Sequence, residues 1–195
     1  MKEFLTYDIE IRKAVPQRRQ KPMPGVEYCD GWEDYENMGV AVIGSFDAKH
    51  SRYQVWFQDG FHKFQELAAR RTVVGFNSKR FDDNVMAAAG FPVTTHYDVL
   101  VEIWEAAGLP PQHHRSTHGG FSLDAMAQAN FGTAKDASGA WAPIWWQRGM
   151  LTPLVNHCLQ DVGMTHQLLA LARQGVEIRN PHGGALTLKA PRMRT

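Results

Sequence analysis

The chain has 195 residues, of which 44% are hydrophobic and 21% charged; that is the make-up of one ordinary soluble domain and excludes a disordered segment. No apolar run approaches the roughly 20 residues of a membrane span, and the start, Met1-Lys2-Glu3, leads into strand-like sequence with no signal-peptide architecture. Cys29 and Cys158 form neither a disulfide framework nor a CxxC pair, so the expectation is a reducing, cytoplasmic setting.

The first element, "FLTYDIEI", reads as a strand with two acids in it. Residues i and i+2 of a strand point to one face, so Asp8 and Glu10 project side by side. An edge strand meeting water would explain that, and so would a metal site, because buried charges are costly unless paired or ligated. A polar loop with Pro16, Pro22, Pro24 and Gly25 follows over 12–37. "GVAVIGSFD" (39–47) and "RYQVWFQD" (52–59) read as two strands joined by a short turn. A helix is expected in "FHKFQELAARR", a short buried strand in "TVVGFN", and a helix in "FDDNVMAAAG". Helical spacing recurs over 98–108 and in "SLDAMAQANFG", with Ser122 as N-cap. The Trp-rich "DASGAWAPIWWQRG" reads as irregular, the longest helix spans 151–173 up to Gly175, and the tail reads as a hairpin. Three strands with short connections, followed by strands separated by helices, predict an α/β domain over 1–175: a mixed sheet, antiparallel at first, flanked by helices, with the tail 176–195 packed on it.

More acids accompany the first pair. Asp82 follows a buried strand at the mouth of a helix, where it or Asp83 is also a plausible N-cap. His157 and Asp161 stand four apart in the last long helix, hence on one face, as a surface pair or as part of a site. Four acids gathered at one point repel one another unless divalent cations neutralise them. Two such ions are a common device for phosphodiester cleavage, and oxygen ligands favour Mg²⁺ or Mn²⁺ over zinc.

The segments "YDIEI", "GFNSKRFD" and "HCLQD" resemble the three motifs of DEDD-superfamily 3′–5′ exonucleases, in particular the small domains related to those of family B DNA polymerases. The most specific match is Asn77, three residues, then Phe81-Asp82, which makes Asp82 and not Asp83 the catalytic acid. The resemblance covers most of residues 3–173 and leaves out the 12–37 loop and the tail. It implies a ribonuclease H-like fold and a metal-dependent exonuclease acting on nucleic-acid ends, DNA favoured over RNA. It also implies two Mg²⁺ or Mn²⁺ ions held by Asp8, Glu10, Asp82 and Asp161. His157 would orient or deprotonate the attacking water, Asn77 would buttress the Asp82 turn, and Lys79 and Arg80 would meet phosphates. One departure stands out: the third motif has the spacing of the tyrosine subclass but carries His157, a hybrid of two patterns.

Other groups fit less specific roles. Net charge of +1 says little about partners, but basic residues cluster: Arg12, Lys13, Arg18, Arg19 and Lys21, then Arg70-Arg71, Lys79-Arg80, and Lys189, Arg192 and Arg194. Such groups follow a phosphate backbone or are plain solvated charge. His113, His114 and His118 lack the cysteine pair or HExxH of a zinc site and read as a loop near substrate. Trp141, Trp145 and Trp146 either stack on bases or fill a core edge, and Cys158 reads as a small packed residue. A structure-specific endonuclease, or a silent nucleic-acid-binding module, would share many of these features.

Overall fold

The acidic strand β1 (Phe4–Ile11) lies at the centre of a five-stranded sheet, which disposes of the edge-strand explanation. The structure, a computed structural model, describes residues 3–17, 21–114, 116–133 and 138–192; Arg18, Arg19 and Arg194 of the basic groups fall outside them. β2 (Val40–Asp47) runs antiparallel to β1, and β3 (Arg52–Trp56) antiparallel to β2. On the other side β4 (Thr72–Gly75) and β5 (Tyr97–Asp98) are parallel to β1, giving the order β3-β2-β1-β4-β5. This mixed α/β sheet, antiparallel on one side and parallel on the other, is compatible with a ribonuclease H-like fold.

Alternation along β1 explains both its apolar content and its acids. Leu5, Tyr7, Ile9 and Ile11 point into a core shared with α2 (Phe61–Ala68) and α3 (Asp82–Ala88) through Phe61, Phe64, Val85 and Met86. The even positions face the other side, where α7 (Leu151–Gln174) crosses the sheet. There Phe4 joins a second core with α4 (Val99–Ala106), α5 (Leu123–Phe131) and α7, and Thr6 Oγ1 lies 3.3 Å from His166 Nδ1 of α7. Asp8 and Glu10 continue this face.

The sequence reading differs from the structure in several places. The 12–37 loop contains the one-turn helix α1 (Tyr35–Met38). Residue 98 ends β5 and caps α4 through its side chain, where the sequence pattern had placed the helix start. Of the Trp-rich segment, expected to be irregular, Asp136 and Ala137 lie outside the described residues, and the rest is mostly helical. A 3₁₀ turn over Gly139–Trp141 leads into α6 (Ala142–Gln147), with Pro143 in the first turn, where its missing N–H is harmless. In the tail, β6 (Ile178–Arg179) pairs with β7 (Ala185–Leu186), and Ile178, Leu186 and Leu188 extend the α4/α7 core. Among the described residues no helix is long and apolar enough to cross a membrane.

Candidate active site

The site forms where β4 ends and β1 runs on. β4 pairs with β1 from Phe4↔Thr72 as far as Thr6↔Val74, and the strand ends at Gly75. Further along β1, the Ile9 N–H, left without a β4 partner, donates instead to Asp82 Oδ1 at 3.1 Å. The third acid is thereby docked on the backbone between Asp8 and Glu10. Neither Asp82 nor Asp83 caps α3: Phe81 holds the cap position without a side-chain bond. Asp82 is 4% exposed, and its burial, reinforced by Asp83 and Asp98, pushes its carboxyl up to about 7 against the hydrogen bonds that lower it. A carboxylate so placed takes up a proton or a cation.

Asp83 has a different task. Its carboxylate accepts from the Tyr7 hydroxyl and from Thr95 N and Oγ1 (2.9 and 2.8 Å), tying α3 to β1 and to the segment before β5. Its partner Tyr7 belongs to the apolar face of β1, with Leu5, Ile9 and Ile11.

The turn that delivers Asp82 rests on a residue the sequence analysis overlooked. Asp98, 1% exposed, accepts from Asn77 N (2.9 Å), Lys79 N (3.1 Å) and Leu100 N (3.1 Å). Burial raises its pKa, and these N–H groups oppose that rise. Asn77 itself adopts φ +62, a left-handed conformation that asparagine tolerates. Its carbonyl accepts from Arg80 N and Phe81 N, so the buttressing is done by its backbone. Gly75 is required beneath: a Cβ there would lie 1.8 Å from Ser78 Oγ. Lys79 and Arg80 are exposed, as phosphate contacts need to be.

α7 brings the last two groups. His157 and Asp161 are 5% and 8% exposed, so they are no surface pair. His157 Nε2 stands 3.7 Å from Glu10 Oε1, and its ring meets Trp145 edge-on at 5.8 Å. Cys158, between them in sequence, shows how close the helix comes. Its Sγ contacts the Asp8 carbonyl at 3.5 Å, and burial, then the charges of Asp8, Glu10 and Asp161, push its thiol well above the ordinary value. One thiol therefore feels three of the four acids. Gly44, paired with Asp8 on β2, makes room for it: a Cβ there would lie 2.8 Å from Cys158 Sγ.

Ligand atoms of Asp8, Glu10 and Cys158 lie within 4.8 Å of one another, a spacing a metal ion can span. Two of the three donors are carboxylates, and oxygen ligands favour a hard cation. With Asp82 buried alongside, the residues fit the divalent cation that the motifs imply.

Several of the basic residues are engaged within the protein. Arg71 forms a two-pronged pair with buried Asp47 (3.2 Å on each prong). Arg12 bonds Val40 O and Gln58 and stacks over Trp146 at 5.1 Å. Lys189 pairs with Glu105 at 2.8 Å. Of the loop histidines, His118 is buried against Trp104 (4.6 Å) and bonded to Pro110 O, whereas His113 and His114 are exposed.

No protein-family model matches the chain, and no curated protein matches it. Among solved structures it is similar to the family B DNA polymerase from the hyperthermophilic archaeon Pyrobaculum calidifontis, at 16% identity and a TM-score of 0.48. That likeness covers 87% of this chain and 25% of the polymerase chain, so the protein spans a quarter of that chain's length.

Proposed function

We propose that the protein is a metal-dependent 3′–5′ exonuclease that hydrolyses phosphodiester bonds of nucleic acid, DNA in preference to RNA. The observation that carries this reading is the meeting of strand and helices at one point. Asp8 and Glu10 lie on one face of β1, Asp82 is hydrogen-bonded between them through Ile9, and α7 sets His157 beside Glu10 with Asp161 one turn on.

Asp8, Glu10, Asp82 and Asp161 would hold two Mg²⁺ or Mn²⁺ ions, which when bound activate water and stabilise the leaving oxygen. The protein's own groups supply position and proton transfer. His157 Nε2 faces Glu10 and is oriented by the Trp145 ring, from where an imidazole can take the proton of the attacking water. The Asp98-anchored turn fixes Asp82 and presents Lys79 and Arg80 to phosphates. Asn77 and Arg80 line a cleft with Phe81, the residue before Asp82, where a strand can be gripped.

The test is digestion of singly end-labelled strands with Mg²⁺, Mn²⁺ or excess chelator, alongside the Asp8→Ala variant. Stepwise loss of nucleotides from the 3′ end, only with metal and only with Asp8 present, is expected. Full activity in chelator, or a fully active Asp8→Ala protein, refutes the reading.

A further inference from the structure

Two clefts adjoin a third that has Glu10 in its wall. The first, about 320 Å³, is walled by Trp32, Glu33, Tyr35, Asn77, Arg80 and Phe81, so that one carboxylate stands there beside the cation. The second, about 160 Å³, has Glu10 in its wall with Ile11, Val15, Trp32, Phe81 and Pro143. The third, about 260 Å³, is bounded by Lys21, Tyr28, Ser138, Trp141 and Ile144. Neighbours share walls: Trp32 and Phe81 separate the first from the second, and Val15, Gln17 and Ala140 the second from the third. The acid therefore stands in the middle of the run. A site made only for chain ends needs a stop just past the reacting bond, whereas here space continues on both sides of Glu10.

The outer clefts have the chemistry of a single-strand track. Trp32 and Trp141 are 58% and 45% exposed, among the most exposed large apolar side chains in the protein. Trp32 meets Phe81 edge-on at 5.8 Å, which holds it beside the turn leading to Asp82. Each outer cleft adds an exposed cation, Arg80 in the first and Lys21 in the third. Aromatic faces interleaved with cations bind single strands without regard to sequence, since every base has a face to stack and every nucleotide a phosphate. The 12–37 loop, outside the exonuclease motifs, supplies Trp32, Lys21 and Tyr28 to this track.

We propose that one nucleic-acid strand lies through all three clefts, so that the bond held at the acids carries nucleotides on both sides and the protein also cuts within single strands. This rests on the phosphodiester-hydrolase reading above and extends it from chain ends to chain interiors. The step is the same hydrolysis. The oxygen of water forms a bond to the scissile phosphorus, the bond from phosphorus to O3′ breaks, and O3′ takes up a proton. The upstream piece ends in a 3′-hydroxyl and the downstream piece keeps a 5′-phosphate.

The experiment compares, with Mn²⁺, a linear single strand with a free 3′ end, the same strand with a blocked 3′ end, and a circular single strand. The Asp8→Ala protein serves as the blank. Cutting of the blocked and circular strands by the wild type only, reduced about tenfold or more in Trp141→Ala through loss of a stacking surface, is the expected result. Degradation of the free-ended strand with the other two left intact overturns the inference and leaves the exonuclease reading standing. Failure on all three strands overturns both. Circular-strand cutting by Asp8→Ala, or undiminished cutting by Trp141→Ala with an unchanged melting temperature, also overturns the inference.

Discussion

Gly44→Ala tests whether the distance between α7 and the sheet sets the site. A methyl at this position would lie 2.8 Å from Cys158 Sγ, 3.3 Å from Val162 Cγ2 and 3.4 Å from Leu159 Cδ2. Ordinary non-bonded contacts start near 3.5 Å, so the sulfur is too close by about 0.7 Å, and the two aliphatic carbons need only a slight adjustment. The neighbours are on a long helix packed along its length, so the helix has to lift. Overpacking of this kind costs about 1–3 kcal/mol. The lower entropy of the unfolded alanine chain returns about 0.4–1 kcal/mol, because Gly44 needs no left-handed conformation. The net loss corresponds to a fall in Tm of roughly 2–6 °C for a chain of this size. The functional loss should be larger in proportion. His157 and Asp161 ride on the lifted helix while Asp8 and Glu10 stay on β1, and misplacement near 1 Å costs on the order of 10²-fold in rate. Two assays follow: the melting temperature with and without Mn²⁺, and hydrolysis of an end-labelled strand. The variant should fold, gain less from Mn²⁺ than the wild type, and cut about 10- to 100-fold more slowly. Adding Cys158→Ala removes the clashing sulfur and should recover part of both losses. Gly44→Ala with wild-type Mn²⁺ stabilisation and rate would show that helix spacing does not govern the site.

Asp82→Ala should fold and lose nearly all hydrolysis. Asp83→Ala should instead lose about 1–3 kcal/mol of stability as Tyr7 and Thr95 forfeit their acceptor, with activity per folded molecule kept; the reverse pattern would shift the motif by one residue. His157→Ala should slow cleavage by roughly 10²–10⁴-fold at saturating metal and His157→Tyr should retain part of the rate, whereas an unchanged His157→Ala rate would make the imidazole a packing group. Burial alone would raise the pKa of Asp47, but hydrogen bonds from Arg71, His50 and Lys49 N outweigh it and hold the carboxyl below the ordinary range. A depressed folded pKa contributes stability that is present above the unfolded value of about 3.9 and is lost as pH falls below it. Denaturant midpoints of the wild type should therefore drop below about pH 4, and Asp47→Asn, less stable at neutral pH, should show a flatter acid limb; equal slopes would remove Asp47 from the acid response.

What could be read from the sequence was what local spacing carries. The i, i+2 acids of β1, the Asn77–Phe81–Asp82 spacing and the His157–Asp161 turn of α7 all depend on short-range geometry, and the structure brings Asp82 to the Ile9 N–H and His157 to Glu10. β5 is two residues long, too short for any periodicity, so Asp98 was absorbed into the following helix pattern and its hold on the Asn77 turn went unseen. α6 was hidden by its tryptophans and by Pro143, which reads as a breaker but sits in the first turn. Arg71 read as a surface cation because its partner Asp47 is 24 residues away on another strand. Gly44 gave no signal at all, since its purpose exists only when α7 is laid across β2.

Placing the acids on β1 ties them to a strand that should be among the last parts of the molecule to open. β1 is hydrogen-bonded to β2 along almost its whole length and to β4 over its first half, with packed side chains on both faces. Its amides should exchange with solvent only when the whole domain opens, in contrast to sites built on loops, which open locally. The arrangement of Asp8 and Glu10 is then insulated from thermal loosening elsewhere. Catalysis should persist until the cooperative transition and end with it, so that activity and native hydrogen-exchange protection of β1 vanish at the same temperature.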